Sequence, residues 1–206
     1  MNRRDSIKSL TLSLGLTIAT PTLLQLLYSC ESDKTAKWDA KFLDNSQVFI
    51  LEQLVDLILP ASKTIGALDV NVPQFMDLVL KKICTKQEQD NFTKGDLAFR
   101  NKFEIIFKKD SSNGKQAEFL TMLNTYFKIS PEKQKDIFEL MKIKPSEVKD
   151  LNNYFIYKYL IFIRHYTLWG YYTSKKVGTE ILNYNPIPGT YDGCTPLRDG
   201  DYISSI

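Results

Sequence analysis

The ten residues Tyr154-Phe155-Ile156-Tyr157-Lys158-Tyr159-Leu160-Ile161-Phe162-Ile163 carry a single charge among aromatic and aliphatic side chains. As a helix they are apolar nearly all round. Such a helix sits either at the centre of a core or along one face of an interface. The same β-branched and aromatic content suits a strand, but the segment starts after Pro145, with Ser146 in its first turn, and no strand partner stands near it. Length and isolation favour a long, central helix.

The remaining apolar residues also recur at helical steps. Val48, Leu51, Leu54, Val55, Ile58 and Leu59 share one face of a helix that Asn45 or Ser46 can cap and Pro60 ends. Residues 61–72 read as a loop around Gly66. Pro73 opens a second helix, with Phe75, Met76, Val79, Leu80 and Ile83 as its stripe. A third spans about Lys86 to Lys109, where Gly95 is a potential interruption, and Ser111-Ser112-Asn113-Gly114 is a turn. Shorter helices follow over Lys115–Phe127 and Pro131–Met141, the second capped by Ser130. The expected fold is all-α, a compact domain of about six helices. Beyond Leu182 the chain is dense in Pro, Gly and aromatic residues, and an extended segment lying over another surface is expected there.

The first thirty residues are of a different kind. Asn2-Arg3-Arg4-Asp5-Ser6-Ile7-Lys8 resembles a twin-arginine export signal, which delivers folded proteins across a membrane, with Ser6 where a phenylalanine is usual. The stretch that follows contains Thr11, Ser13, Gly15, Pro21 and Gln25, and so is less apolar than a true span of about 20 residues. Leu26-Leu27-Tyr28-Ser29-Cys30 resembles a lipobox, which makes Cys30 a candidate for lipidation. The alternative is an uncleaved N-terminal anchor helix with Cys30 as an ordinary thiol. Either way the chain is expected to be exported, in the periplasm or cell envelope, and membrane-associated. The organisation is then a signal over 1–30, a tether over 31–44 and a helical domain over 45–206.

Without residues 1–30 the chain carries 24 basic and 23 acidic side chains. That near-neutral, interspersed surface lacks the clustered cations nucleic-acid binding requires. Cys84 and Cys194 remain, either as a structural disulfide worth about 2–4 kcal/mol or as two buried thiols. Neither belongs to a CxxC pair. No glycine-rich phosphate loop, haem-attachment motif or close-spaced metal-ligand set occurs. The single histidine, His165, stands beside Arg164 on an aromatic helix, where local satisfaction is commoner than acid–base work. Asp69, Asp77 and Asp192 are carboxylates that could pair in space. The chain is poorly equipped as a catalyst, and no catalytic, cofactor-binding or metal-binding residue is assigned. The cluster Tyr166, Trp169, Tyr171 and Tyr172 is either core or contact surface.

Two groups of residues resemble the gluconate 2-dehydrogenase subunit 3 family. One is Leu54-Val55-Asp56-Leu57-Ile58-Leu59-Pro60 with Gly66-Ala67-Leu68-Asp69-Val70-Asn71-Val72-Pro73-Gln74-Phe75-Met76-Asp77. The other is Leu168-Trp169-Gly170-Tyr171-Tyr172-Thr173-Ser174 with Gly178 and Ile187-Pro188-Gly189-Thr190-Tyr191-Asp192-Gly193-Cys194. A departure is Lys175-Lys176, basic where the family tends to be acidic. The resemblance implies a non-catalytic small subunit of a membrane-associated flavoprotein dehydrogenase oxidising sugars or sugar acids. The partner is then a large subunit that holds the FAD, with a cytochrome c subunit as a further partner. The small subunit would stabilise the large one and direct its twin-arginine export. Trp169, Tyr171, Tyr172, Pro188 and Tyr191 are the expected contacts with the large subunit, and Pro73 and Phe75 are expected inside. Two other readings compete. One is a stand-alone envelope lipoprotein acting as a scaffold or solute binder. The other is an enzyme using His165 with a carboxylate such as Asp192.

Overall fold

A computed structural model describes residues 38–182, all within the second of the two units into which the chain divides, Ala36–Ile206. Among the described residues there are seven α-helices and no strand. They are α1 Asn45–Ile58, α2 Val72–Lys82, α3 Lys86–Phe107, α4 Gln116–Phe127, α5 Pro131–Leu140, α6 Leu151–Tyr172 and α7 Lys175–Glu180. None of them is long and apolar enough to cross a membrane. The export signal, lipidation site and extended C-terminal segment expected from the sequence lie outside these residues.

Local chemistry sets the helix ends. Asp44, not Asn45 or Ser46, caps α1. Its carboxylate accepts from Gln47 N at 2.8 Å while Gln47 Oε1 accepts from Asp44 N at 3.0 Å. Only Asp44 has a glutamine three residues on, which completes a capping box. The same device opens α3, between Thr85 and Glu88. In the 61–72 loop Gly66 N donates to Asp69 at 2.7 Å, and a Cβ on Gly66 would come within 2.4 Å of Ala61 N. Leu68–Val70 forms a 3-10 turn inside that loop, and Asn71 takes the left-handed conformation before Pro73 enters the first turn of α2.

The long helix starts later than the sequence suggests. Pro145–Glu147 is a separate 3-10 turn, and Asp150 caps α6 by accepting from Asn153 N at 3.0 Å. The seventh helix, α7, was not expected. Ser174 caps it, Val177 is its one buried residue, and its six residues are too few for a readable periodicity.

The first half of α6 fills the centre. Tyr154, Ile156, Tyr157, Tyr159, Leu160 and Ile163 are buried, and α1, α2 and α3 all pack on this helix. Gly95 does not interrupt α3; it is where α3 meets α6. A Cβ there would lie 2.6 Å from both Phe155 O and Tyr159 Cβ. Around the crossing the core is aromatic: Phe92–Tyr159 at 5.0 Å, Phe99–Tyr159 at 5.6 Å, Phe103–Phe119 at 5.0 Å and Phe99 stacked on Phe119 at 6.4 Å. Each such ring contributes roughly 1.5–3 kcal/mol on burial.

A polar cluster lies inside this core. Asp96 is wholly buried; Gln47 Nε2 donates to it at 2.9 Å, Arg100 pairs with it at 2.9 Å and Tyr159 OH reaches it at 3.5 Å. Burial raises the Asp96 pKa, and nearby Asp44 adds to the rise, against the lowering effects of Gln47 and Arg100. Asp77 is also buried, and its carboxylate accepts from Lys41 N, Phe42 N and Leu43 N at 2.7–2.9 Å. It fastens the segment preceding α1 to α2.

Two outcomes follow from this packing. Gly95→Ala must push α3 from α6, and overpacking of this kind costs about 1–3 kcal/mol; an unchanged urea midpoint would contradict the close crossing. A carboxyl whose pKa is higher folded than unfolded binds more protons in the native state, so its contribution to stability falls as pH rises. The stability difference between wild type and Asp96→Asn should therefore shift toward wild type as pH is lowered to about 4. A difference that stays flat across the titration would mean that Asp96 ionises alike in both states.

Candidate functional site

The second half of α6 leaves the core on one side. Phe162, His165, Tyr166, Trp169 and Tyr172 recur at three- and four-residue steps, so they line one face. Their rings run in sequence: Phe162–Tyr166 at 4.4 Å, His165–Tyr166 at 5.0 Å, Tyr166–Trp169 at 5.6 Å. From α2, Phe75 joins them, 6.5 Å from Tyr166 and edge-on to Trp169 at 5.8 Å. It fits because residue 170 is glycine; a Cβ there would lie 2.7 Å from Phe75 Cδ1.

This ridge reaches solvent. Trp169 is 47% exposed, Tyr172 53%, and Leu78, one turn beyond Phe75, 50%. Beside it, Phe92, Ile161, Phe162, Tyr166, Glu88 and His165 line an open cleft of about 280 Å³. Burial pushes the Tyr166 phenol up, with Cys84 and Glu88 nearby adding to the rise, and burial likewise raises the Cys84 thiol. At neutral pH both carry their protons, so Cys84 is no thiolate nucleophile.

The structure divides the aromatic cluster read from the sequence. Trp169 and Tyr172 are surface residues. Tyr171 is not: it is 6% exposed, and its hydroxyl donates to Ile65 O at 2.9 Å. Expected from the sequence as a partner contact, Tyr171 braces the 61–72 loop from within. Pro73 is buried as expected, whereas Phe75 is only half-buried and belongs to the ridge. Tyr166, read from the sequence as core or contact surface, belongs to the ridge, whereas Phe162, His165 and Phe75 were not expected there. The signal that could have found Phe162 and His165 is the four-residue step from 162 to 166 and from 165 to 169. Phe75 becomes a ridge residue only through the α2–α6 packing.

The catalytic alternatives fare differently. His165 is exposed and lies against two rings, Tyr166 at 5.0 Å and Trp169 at 6.4 Å. Asp69 and Asp77 do not pair, since each is engaged by backbone N–H groups in a different place. Among the described residues no three His, Cys, Asp or Glu side chains gather as a metal site. Arg3, Arg4, Cys30, Pro188, Tyr191, Asp192 and Cys194 lie outside the described residues, as does any bridge from Cys84 to Cys194.

The contrast between neighbours on α6 is testable. Tyr171→Phe removes one buried hydrogen bond and should lower stability by about 0.5–1.5 kcal/mol, whereas Tyr172→Phe should leave the denaturation midpoint in place. Equal losses from the two variants would contradict their different burial.

A family model described as gluconate 2-dehydrogenase subunit 3 matches residues 45–189, from the first residue of α1 through α7. Comparison with curated proteins and with solved structures gave no match. The matched span includes the whole ridge and most of the chain, and the chain belongs to the gluconate 2-dehydrogenase subunit 3 family.

Proposed function

We propose that this chain is the non-catalytic small subunit of an FAD-dependent dehydrogenase complex acting on a sugar or sugar acid. The α2–α6 ridge is its clamp on the large flavoprotein subunit, which holds the FAD and performs the oxidation. The observation that carries this reading is the ridge of exposed Trp169 and Tyr172 with half-buried Phe75 and Tyr166 in a chain of this family. Half-exposed Trp and Tyr rings lose water when a partner covers them, and such residues dominate binding energies at protein interfaces.

The same reading gives the N-terminus a purpose. Arg3-Arg4 would direct the folded chain, with its partner bound, through a translocase that accepts folded cargo, and Cys30 or the N-terminal helix would hold the complex at the membrane. A cytochrome c subunit would then take the electrons on the envelope side.

The test is co-expression of a tagged chain with its genomic neighbours. A flavoprotein should co-purify, identified by its flavin absorbance. Trp169→Ala should weaken that association by about 2 kcal/mol or more, roughly 30-fold in Kd, while the variant remains folded. Recovery of the chain as a lone monomer, without flavin, would return it to the stand-alone envelope readings. Arg3→Lys with Arg4→Lys should leave both the chain and the flavoprotein in the cytoplasm; export of the flavoprotein unchanged would remove the carrier role.

A further inference from the structure

From the Gly95 crossing toward the N-terminal end of α3, a groove lies between α3 and α6. Glu88, Asn91 and Phe92 line it from three- and four-residue steps of α3, and Lys158, Phe162, His165 and Tyr166 from the same steps of α6. Its volume, about 280 Å³, is at the small end of ligand sites, which begin near 300 Å³. Such a space suits one ring and not an extended chain. The floor is aromatic: Phe92 lies 5.3 Å from Phe162, and Phe162 lies 4.4 Å from Tyr166.

The rim is polar, and much of it is unengaged. Asn91, His165 and the Tyr166 hydroxyl make no side-chain hydrogen bond among the described residues. Glu88 accepts from Thr85 N and Thr85 Oγ through one carboxylate oxygen, Oε2, so its other oxygen is open to a ligand. Those two bonds hold the Glu88 carboxyl below the usual carboxylate range, and it is ionised at neutral pH. Lys158 Nζ donates to Met141 O at 3.1 Å and lies over the Tyr154 ring at 5.4 Å. That fixes the ammonium and leaves two of its three N–H groups to donate. The rim therefore combines a pure acceptor, a pure donor and three groups able to do either.

We infer that this groove binds a neutral monosaccharide, a pyranose whose C–H face lies over Phe162 and Tyr166 and whose hydroxyls meet Asn91, His165, Glu88 and Lys158. Polarised C–H bonds are drawn to the negative face of an aromatic ring. Each sugar hydroxyl both donates and accepts, which is what a rim of mixed sense requires. Other small ligands match it less well. A quinone only accepts, and would set a carbonyl oxygen against Glu88. An acyl chain would cover the rim groups without partnering them, at a desolvation cost. A sugar acid gains at Lys158 but meets the Glu88 charge. The site is non-catalytic, and it stands whether or not the ridge clamps a flavoprotein.

The experiment titrates the full chain in detergent with glucose and follows backbone amide chemical shifts. Saturable shifts confined to residues 88–92 of α3 and 158–166 of α6 are expected, with a Kd of about 1–10 mM for so small a ligand in an open site. His165→Ala and Asn91→Ala each remove one rim group and should raise Kd roughly 2- to 10-fold. Amide shifts outside the groove should be unchanged in both variants, so loss of fold cannot mimic the effect. No saturation by about 100 mM glucose, or saturation that neither substitution weakens, would overturn the site. Gluconate bound at least about tenfold tighter than glucose would overturn the choice of a neutral ring. p-Cresol, an isolated tyrosine side chain, is the competing probe: its binding without binding of glucose would make the groove a recess for a partner's aromatic residue and end the inference. Co-purification of a flavoprotein is read separately, so either reading can fail without the other.

Discussion

The close crossing of α3 and α6 at Gly95 is the contact from which the rest of the architecture follows. Helix axes approach this nearly only where one side chain is absent, and here residue 95 sits directly over Phe155 O and Tyr159 Cβ. The approach places Tyr159 between Phe92 and Phe99 and lets its hydroxyl reach Asp96 on the facing helix. Asp96 in turn draws Gln47 from the start of α1. Three helices are therefore registered against one another by a single glycine and a buried carboxylate, with aromatic rings filling the space between. Hydrophobic burial alone would tolerate several registers; in this one Asp96 meets both Gln47 and Arg100.

Pinning the first half of α6 in this way determines what its second half can do. A helix of 22 residues is about 33 Å long. Past Ile163 only Thr167, Gly170 and Tyr171 remain buried, and the other positions turn outward. Phe75 then lies against Gly170 and widens a single helical stripe into a ridge shared by α2 and α6. The core and the proposed interface are thus two ends of one helix. Its nearly uniform apolar character, which conceals any amphipathic pattern, reflects that double duty.

That concealment explains which features were legible. Helices α1 to α5 have periodic stripes and clear punctuation, and Pro73, Ser130 and Pro131 act where their chemistry predicts. The cap of α1 was missed by one residue because the deciding partner is Gln47, three positions on. The start of α6 was missed because Pro145 initiates a 3-10 turn of its own, and Asp150 supplies the actual cap. Gly95 looked like a break in a one-dimensional pattern and is a tertiary contact. At the site, Trp169 and Tyr172 were legible as contact candidates, while Tyr171 could be separated from Tyr172 only by the position of Ile65 O, which no local pattern encodes. Likewise, Asp77 read as a carboxylate that could pair with Asp69 or Asp192, and it instead accepts from three backbone N–H groups.

Asp77 also links the two ends of the proposed task. It lies two residues from Phe75 on α2, and two residues of helix rotate by about 200°, so the two side chains point to opposite faces. One face holds the backbone of residues 41–43, where the segment leading from the N-terminus joins the domain. The other carries Phe75 and Leu78 on the ridge. Residues 41–43 are therefore held to α2 by three charge-assisted hydrogen bonds. The segment preceding α1 and the aromatic ridge thus share one eleven-residue helix. That helix is itself packed on the helix the whole core is built around.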